Sequence, residues 1–209
     1  MEPVPRDRSI TRVALRPPSD EDLVAALRAG DDDAMTEIDR RYRDRLLAYV
    51  RRMSAGADAE DVVQDVLARA YTALRADDRP MALRAWLYRV AHNRCLDVLR
   101  GGSARVVLSE DIDLGAAAKT LPEVVAGRER LRQVVADIQD LPDQQRSALI
   151  IRELEGLSYE ELAAALDTTV PAIKSLLVRA RMNLARAAED RATAEQASLA
   201  RLLPRPATC

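Results

Sequence analysis

Basic and hydroxyl side chains recur on one side of a predicted helix near the C-terminal end of the chain. The segment Lys174 to Arg186 holds four bases and no acid. At about 100° per residue, Ser175 and Arg179 fall opposite an apolar stripe, with Lys174 beside them. The stripe consists of Ile173, Leu177, Ala180 and Leu184. Arginine can pair with guanine, and all three polar types can contact phosphates, so this face predicts binding to duplex DNA.

The residues before this helix complete a recognisable motif. Ser158 is followed three residues later by Glu161, which is the spacing of a helix-capping box. Turn-forming residues then precede Pro171, which is tolerated in the first turn of a helix. A short capped helix, a turn and a longer basic helix predict a helix-turn-helix. The alternative is a solvated basic face on a bundle helix, because similar hairpins occur in bundles that bind no DNA.

A second polar face is predicted on a helix from Met81 to Arg100. Arg89, His92 and Asn93 fall within a sector of roughly 100° on this helix, with Trp86 nearby. Such groups suit contact with unpaired bases and backbone phosphates. A lone histidine and a lone tryptophan are also common as capping or packing residues, so packing stays the alternative.

An acidic run lies further upstream. Asp58 to Asp65 contains four acids and no base. Acids in a first helical turn favour the positive end of the helix dipole, so a solvated helix start is one interpretation. A docking face for a basic partner is the other.

The chain lacks the residue patterns that catalysis or a metal would need. It has one histidine and two cysteines, no glycine-rich phosphate loop and no histidine pair for zinc. We therefore predict no enzymatic activity, no cofactor and no metal site. The net charge of −2 gives no global basic footprint. The N-terminus lacks the apolar stretch of a signal peptide, and no segment is long and apolar enough for a bilayer, which predicts a cytoplasmic protein.

Abundant leucine, alanine and arginine, with seven glycines and no phenylalanine, predict an all-α fold. Composition divides the chain into a disordered arm (1–19), a helical domain (20–101), a flexible linker (102–122), a helix-turn-helix domain (123–188) and a tail (189–209). The helix that carries the basic face is expected to fray after Asp190.

Two long motifs in this order are similar to a known family. The first is ADAEDVVQDVLARAY followed by RAWLYRVAHNRCLDVLR, and the second is LPDQQRSALIIRELEGLSYEELAAAL followed by VPAIKSLLVRARMNL. Together they resemble the extracytoplasmic-function group of the sigma-70 family. The resemblance implies a sigma-two-like helical bundle, a sigma-four-like helix-turn-helix domain, and binding to core RNA polymerase and promoter DNA. It also implies an anti-sigma factor as partner.

The resemblance assigns roles to individual positions. The residues that it implies for docking on the polymerase are Asp61, Gln64 and Asp65. Those for recognition of the minus-ten element and its melted strand are Asp77, Arg79, Arg89, His92 and Asn93. Those for recognition of the minus-thirty-five element are Lys174, Ser175, Val178, Arg179 and Arg181. The helix angle places Arg181 toward the side, which favours a phosphate contact for that residue.

Two other functions remain open at this stage. One is a stand-alone helix-turn-helix regulator with a helical N-terminal sensing domain, which would have no need of the residues from Ala57 to Arg100 and would not bind core polymerase. The other is an enzyme on a helical scaffold, which the lack of a catalytic constellation disfavours.

Overall fold

The computed structural model describes residues 17–54, 58–76, 79–100 and 121–202, and within the last range the side chains of 121–126, 198–200 and 202 are not described. These residues form helices joined by short turns, as the composition predicted, and contain no strand. The helices are α1 (Asp20–Arg28), α2 (Asp33–Met53), α3 (Ala59–Ala76), α4 (Leu83–Arg100), α5 (Leu121–Gln139), α6 (Asp143–Glu155), α7 (Tyr159–Ala165) and α8 (Val170–Leu202).

Local sequence explains where several helices begin and end. Ser158 caps α7: its hydroxyl accepts a hydrogen bond from the Glu161 N–H at 3.1 Å, and its own N–H donates to the Glu161 carboxylate at 2.7 Å. This confirms the predicted capping box. Ser19 and Asp22 form the same arrangement at α1. Gly156 ends α6 with φ of 65°, a left-handed conformation that glycine adopts without steric cost.

Helices α1 to α4 pack as a bundle around α2. The ring of Tyr49 on α2 meets that of Tyr88 on α4 edge-on, with ring centroids 5.5 Å apart. Cys95, also on α4, is fully buried, and burial raises the pKa of its thiol to about 11. A buried, protonated thiol of this kind acts as a small apolar side chain.

Helices α6, α7 and α8 pack on one another, and their buried side chains are continuous with those of the α1–α4 bundle in one hydrophobic core. The buried side chains shared by these helices are Ile151, Leu157, Leu162, Ile173 and Leu177. Asp167 turns the chain between α7 and α8 with φ of 50°. Helix, turn and helix together give the motif that the sequence predicted, while α5 packs along α8.

The C-terminal helix differs from its prediction. Fraying was expected after Asp190, and this was wrong, because α8 continues to Leu202. The continuation is rich in alanine, which has the highest helix propensity, and Arg191 pairs with Asp137 on α5. The linker was predicted at 102–122, but its last two residues already belong to α5, which begins at Leu121. The rest of the linker (102–120), the arm up to residue 16, Asp77 and Cys209 lie outside the described residues.

Candidate nucleic-acid interface

Helix α8 has one buried side and one exposed side. Ile173, Leu177 and Ala180 are at most 1% exposed, whereas Lys174 and Arg179 face solvent. The predicted division of this helix into a buried and a polar side is therefore confirmed. In helix-turn-helix proteins the exposed side of the second helix is the part that enters the major groove.

Neighbouring groups orient the long side chains on α8. The ammonium of Lys174 lies 5.6 Å from the centroid of the Tyr159 ring. Arg179 Nε donates to the Ser175 carbonyl at 3.4 Å. Arg181 forms an ion pair with Glu153 on α6 at 2.8 Å, and both side chains are about half exposed. Exposed pairs of this kind are weak, so Arg181 can exchange its carboxylate for a phosphate at low cost.

Arg89 and Asn93 are exposed on α4, where two shallow grooves meet at Trp86. The first groove, of about 580 Å³, lies between α3 and α4 and includes Asn93. The second, of about 550 Å³, includes Arg79 and Arg89, and α7 contributes Ala164 to its wall. Trp86 lines both grooves, so its indole is available to both sides of this face.

The loop before α4 is held by α1. The Arg28 side chain donates to the backbone carbonyl of Arg79 at 2.7 Å. Arg79 itself is exposed, close to the start of the helix that carries Arg89 and Asn93. The bond fixes the path of the chain into α4.

His92 does not share the exposed face with Arg89 and Asn93. It is 6% exposed, and its Nδ1 lies 2.9 Å from Ser147 Oγ on α6 and 3.3 Å from the Tyr49 hydroxyl. Burial lowers the pKa of His92, which favours the neutral imidazole. The helix angle placed the three residues in one sector correctly, but it could not show that α6 covers the part of that sector where His92 lies.

Glu155 makes a second polar contact between the two domains, and sequence reasoning missed it. Its carboxylate accepts from Arg45 Nε at 2.9 Å, and Arg84 donates to its backbone carbonyl. The side chain is 6% exposed. A carboxylate at the C-terminal end of a helix is disfavoured by the helix dipole, so Glu155 at the end of α6 was a signal that a cation lies nearby.

The two polar contacts fix the direction of α6 on α2. Glu155 meets Arg45 near one end of the contact, and Ser147 Oγ lies 3.3 Å from Met53 Sδ near the other. The helices therefore run antiparallel, while α7 packs on α4.

The acidic run begins α3 and is mostly solvent-facing. Asp61 and Gln64 are exposed. Asp65 is partly covered and forms ion pairs with Arg69 at 3.0 Å and Arg94 at 2.7 Å. Asp61 and Gln64 are thus the more accessible members of the predicted docking face.

Both halves of the chain match known families. The model for Sigma-70 region 2 matches residues 38–105, and the model for Sigma-70, region 4 matches residues 131–184. The chain is 35% identical over 173 residues to the ECF RNA polymerase sigma-E factor of Escherichia coli K12, covering 78% of this chain and 91% of that protein. The Haemophilus influenzae sigma-E factor is 32% identical, with 78% and 92% covered.

The chain belongs to the extracytoplasmic-function sigma factors. It is an RNA polymerase sigma factor that acts in transcription initiation, and a stand-alone regulator is not favoured. Region 2 corresponds to most of the α1–α4 bundle, and region 4 includes α6, α7 and the basic part of α8.

Two solved structures share the fold of this chain. The sigma factor resembles CnrH, solved in complex with the cytosolic domain of CnrY, with a TM-score of 0.62, 27% identity, and coverage of 80% of this chain and 96% of that chain. It also shares the fold of RpoE in complex with the anti-sigma factor NepR from Bartonella quintana, with a TM-score of 0.60, 24% identity, and coverage of 76% and 98%.

No helix in the described part of the sigma factor combines the length and the apolar composition of a membrane span. Its described histidine, cysteine, aspartate and glutamate side chains form no cluster that could hold a metal ion.

Proposed function

We propose that this sigma factor contacts promoter DNA through two separate faces. The first is the exposed side of α8, where Lys174, Ser175, Val178 and Arg179 read the minus-thirty-five element and Arg181 contacts phosphate. The observation that carries this proposal is the amphipathic division of α8, which buries one stripe and leaves the basic side uncovered. The absence of acids between Lys174 and Arg186 adds favourable attraction to the phosphate backbone.

The second face lies on α4 and the loop before it. Asn93 can form paired hydrogen bonds with a base edge, and Arg79 and Arg89 can contact phosphates of the melted strand. The indole of Trp86, which lies between the two grooves, offers a stacking surface beside them. Asp77 belongs to the same loop by its sequence position, and His92 belongs to the same helix sector.

The acidic run on α3 is proposed to dock on core polymerase. Asp61 and Gln64 are exposed, and Asp65 sits between two arginines. A basic surface on the polymerase would replace Arg69 as the partner of Asp65, since an exposed pair of this type costs little to break.

We infer that the two domains separate when both faces bind. Helix α7 touches both α4 and α8, so the two faces lie within about two to three helix diameters, roughly 20–35 Å. The centres of elements at minus ten and minus thirty-five are about 25 base pairs apart, which is roughly 85 Å along B-DNA. The form in which the two domains are in contact, the closed form, cannot span that distance. Separation of the domains, which gives the open form, would also uncover His92.

A protein partner is proposed to control the sigma factor. CnrH was solved with the cytosolic domain of CnrY, and RpoE with an anti-sigma factor. We expect an anti-sigma factor to bind here as well, in the cytoplasm and without catalysis by either protein. Co-purification from the native cell that recovers only polymerase under every growth condition would contradict this expectation.

In vitro transcription tests the proposed function directly. Core polymerase with the purified sigma factor should initiate at defined sites on fragmented genomic DNA, while core polymerase alone should not. Asp61→Lys, which reverses charge on the docking face, should weaken assembly, whereas Glu21→Lys, an exposed acid on α1, is the control. A sigma factor that binds duplex DNA but never binds core polymerase would refute the proposal.

A further inference from the structure

An apolar residue occupies the middle of the DNA-facing side of α8. Val178 is 54% exposed, one of the few large apolar side chains with such exposure among the described residues. The residues that this part of α8 buries are Ile173, Leu176, Leu177 and Ala180. At about 100° per residue, Ser175, Val178 and Met182 lie within about 30° of the point opposite the centre of this buried set. The exposed centre of the basic helix is therefore largely apolar.

The cations lie on both flanks of this centre. By the same angles, Lys174 falls on one side, while Arg179 and Arg186 fall on the other. All three are exposed. When such a helix lies in a major groove, its flanks face the two phosphate backbones and its centre faces the base edges. The charge pattern thus directs Val178 to the floor of the groove.

The position of Val178 along the helix also suits base contact. Recognition helices contact base edges with their N-terminal residues, and Val178 lies two turns after the start of α8 at Val170. Met182 lies one turn further from that end. Since a valine side chain has no donor or acceptor, the only matching group that the major groove presents is the 5-methyl group of thymine.

We propose that Val178 contacts a thymine methyl group in the minus-thirty-five element and so selects an A·T pair at one position. This inference rests on the proposed function of α8 and adds one determinant of sequence preference. Ser175 and Arg179 on neighbouring turns provide the polar contacts on either side of that position.

Removal of single thymine methyl groups from the DNA tests the contact. Promoters found by transcription of genomic fragments are resynthesised with each minus-thirty-five thymine, on either strand, replaced in turn by uracil, which lacks only the methyl group. Binding of the complete holoenzyme to each duplex is then measured. We expect one position at which uracil weakens binding about three- to five-fold, the value of one buried methyl group.

Two variants assign that effect to a residue. With Val178→Ala the uracil penalty should disappear, while binding to the thymine duplex falls to about the level that uracil gives with the unaltered protein. Leu154→Ala is the matched control, because Leu154 on α6 is 53% exposed and lies outside the DNA-facing side of α8. It should keep the full uracil penalty.

The failures of the inference and of the proposed function are distinct. Holoenzyme that initiates at promoters but tolerates uracil at every position overturns the contact with thymine, as does an element without A·T pairs. A uracil penalty that persists in Val178→Ala assigns the methyl contact elsewhere and also overturns it. Failure to initiate from any fragment would instead refute the proposed function itself.

Discussion

The two proposed DNA faces of this sigma factor differ in what covers them. The polar side chains of the face on α8 are exposed, and the helices that α8 packs against most, α5, α6 and α7, belong to its own domain. The face on α4 is divided: Arg89 and Asn93 are exposed, but His92 is buried against Ser147 of the other domain. With the proposed roles, we expect duplex recognition to be independent of how the domains sit together, and recognition of the melted strand to be coupled to it.

The largest effects are expected from substitutions that change one proposed DNA face and leave the other intact. Arg179→Ala should weaken binding of the holoenzyme to the minus-thirty-five duplex about ten- to a hundred-fold and lower the salt dependence, because a guanine or phosphate contact is lost. Asn93→Ala should leave duplex binding unchanged and slow strand opening. Duplex affinity across a salt series and the fluorescence of a base analogue in the minus-ten element measure the two steps.

A crossed result would refute this assignment of faces. If Asn93→Ala weakened duplex binding as much as Arg179→Ala, the two helices would not have separate roles. If both variants lost only assembly with core polymerase, neither face would contact DNA.

A smaller effect is expected at a polar contact between the domains, the pair of Arg45 and Glu155. Arg45→Met removes the cation that pairs with the buried Glu155 carboxylate, while keeping the apolar part of the side chain. Because Arg45 is 41% exposed and Arg84 remains, the cost should be about 1–2 kcal/mol, below that of a fully buried pair. The variant should show a larger radius of gyration by X-ray scattering and faster amide exchange in α6.

Arg40→Met provides the control on the same helix. Arg40 is 73% exposed and pairs with Glu37, whose pKa the hydrogen bond from Arg40 helps to lower to about 2. An exposed pair contributes little to packing, so this variant should scatter like the unaltered protein. Equal amide exchange in both variants would mean that Glu155 does not hold the domains together.

The sequence predicted what depends on neighbouring residues along the chain. The cap at Ser158 and Glu161 and the buried stripe of α8 follow from local hydrogen bonding and helical periodicity, and both are confirmed. The burial of His92 and Glu155 could not be predicted in the same way, because each is covered by a helix distant in sequence. The length of α8 was underestimated, since the pairing of Arg191 with α5 is also a tertiary contact.

The smallest expected effect is a response of the domain contact to pH. Burial, together with Arg100, lowers the pKa of His92 in the closed form, while Asp143 opposes this shift. The open form should titrate near the ordinary value of about 6.5. Above that pH both forms carry a neutral imidazole, and the contact is at full strength. Below it the open form gains a proton that the closed form resists, so acid favours separation of the domains.

The pKa of His92 in the open form sets an upper limit on the size of this response. Between pH 7.5 and 5.5 the ratio of open to closed molecules should rise by at most about ten-fold, because one proton is gained with a pKa near 6.5. X-ray scattering across this range measures the change in size. His92→Gln keeps a polar neutral group beside Ser147 and Tyr49 but cannot titrate, so its scattering should change less over the same range. An equal pH response in both proteins would show that another group, and not His92, links acidity to the contact between the two domains.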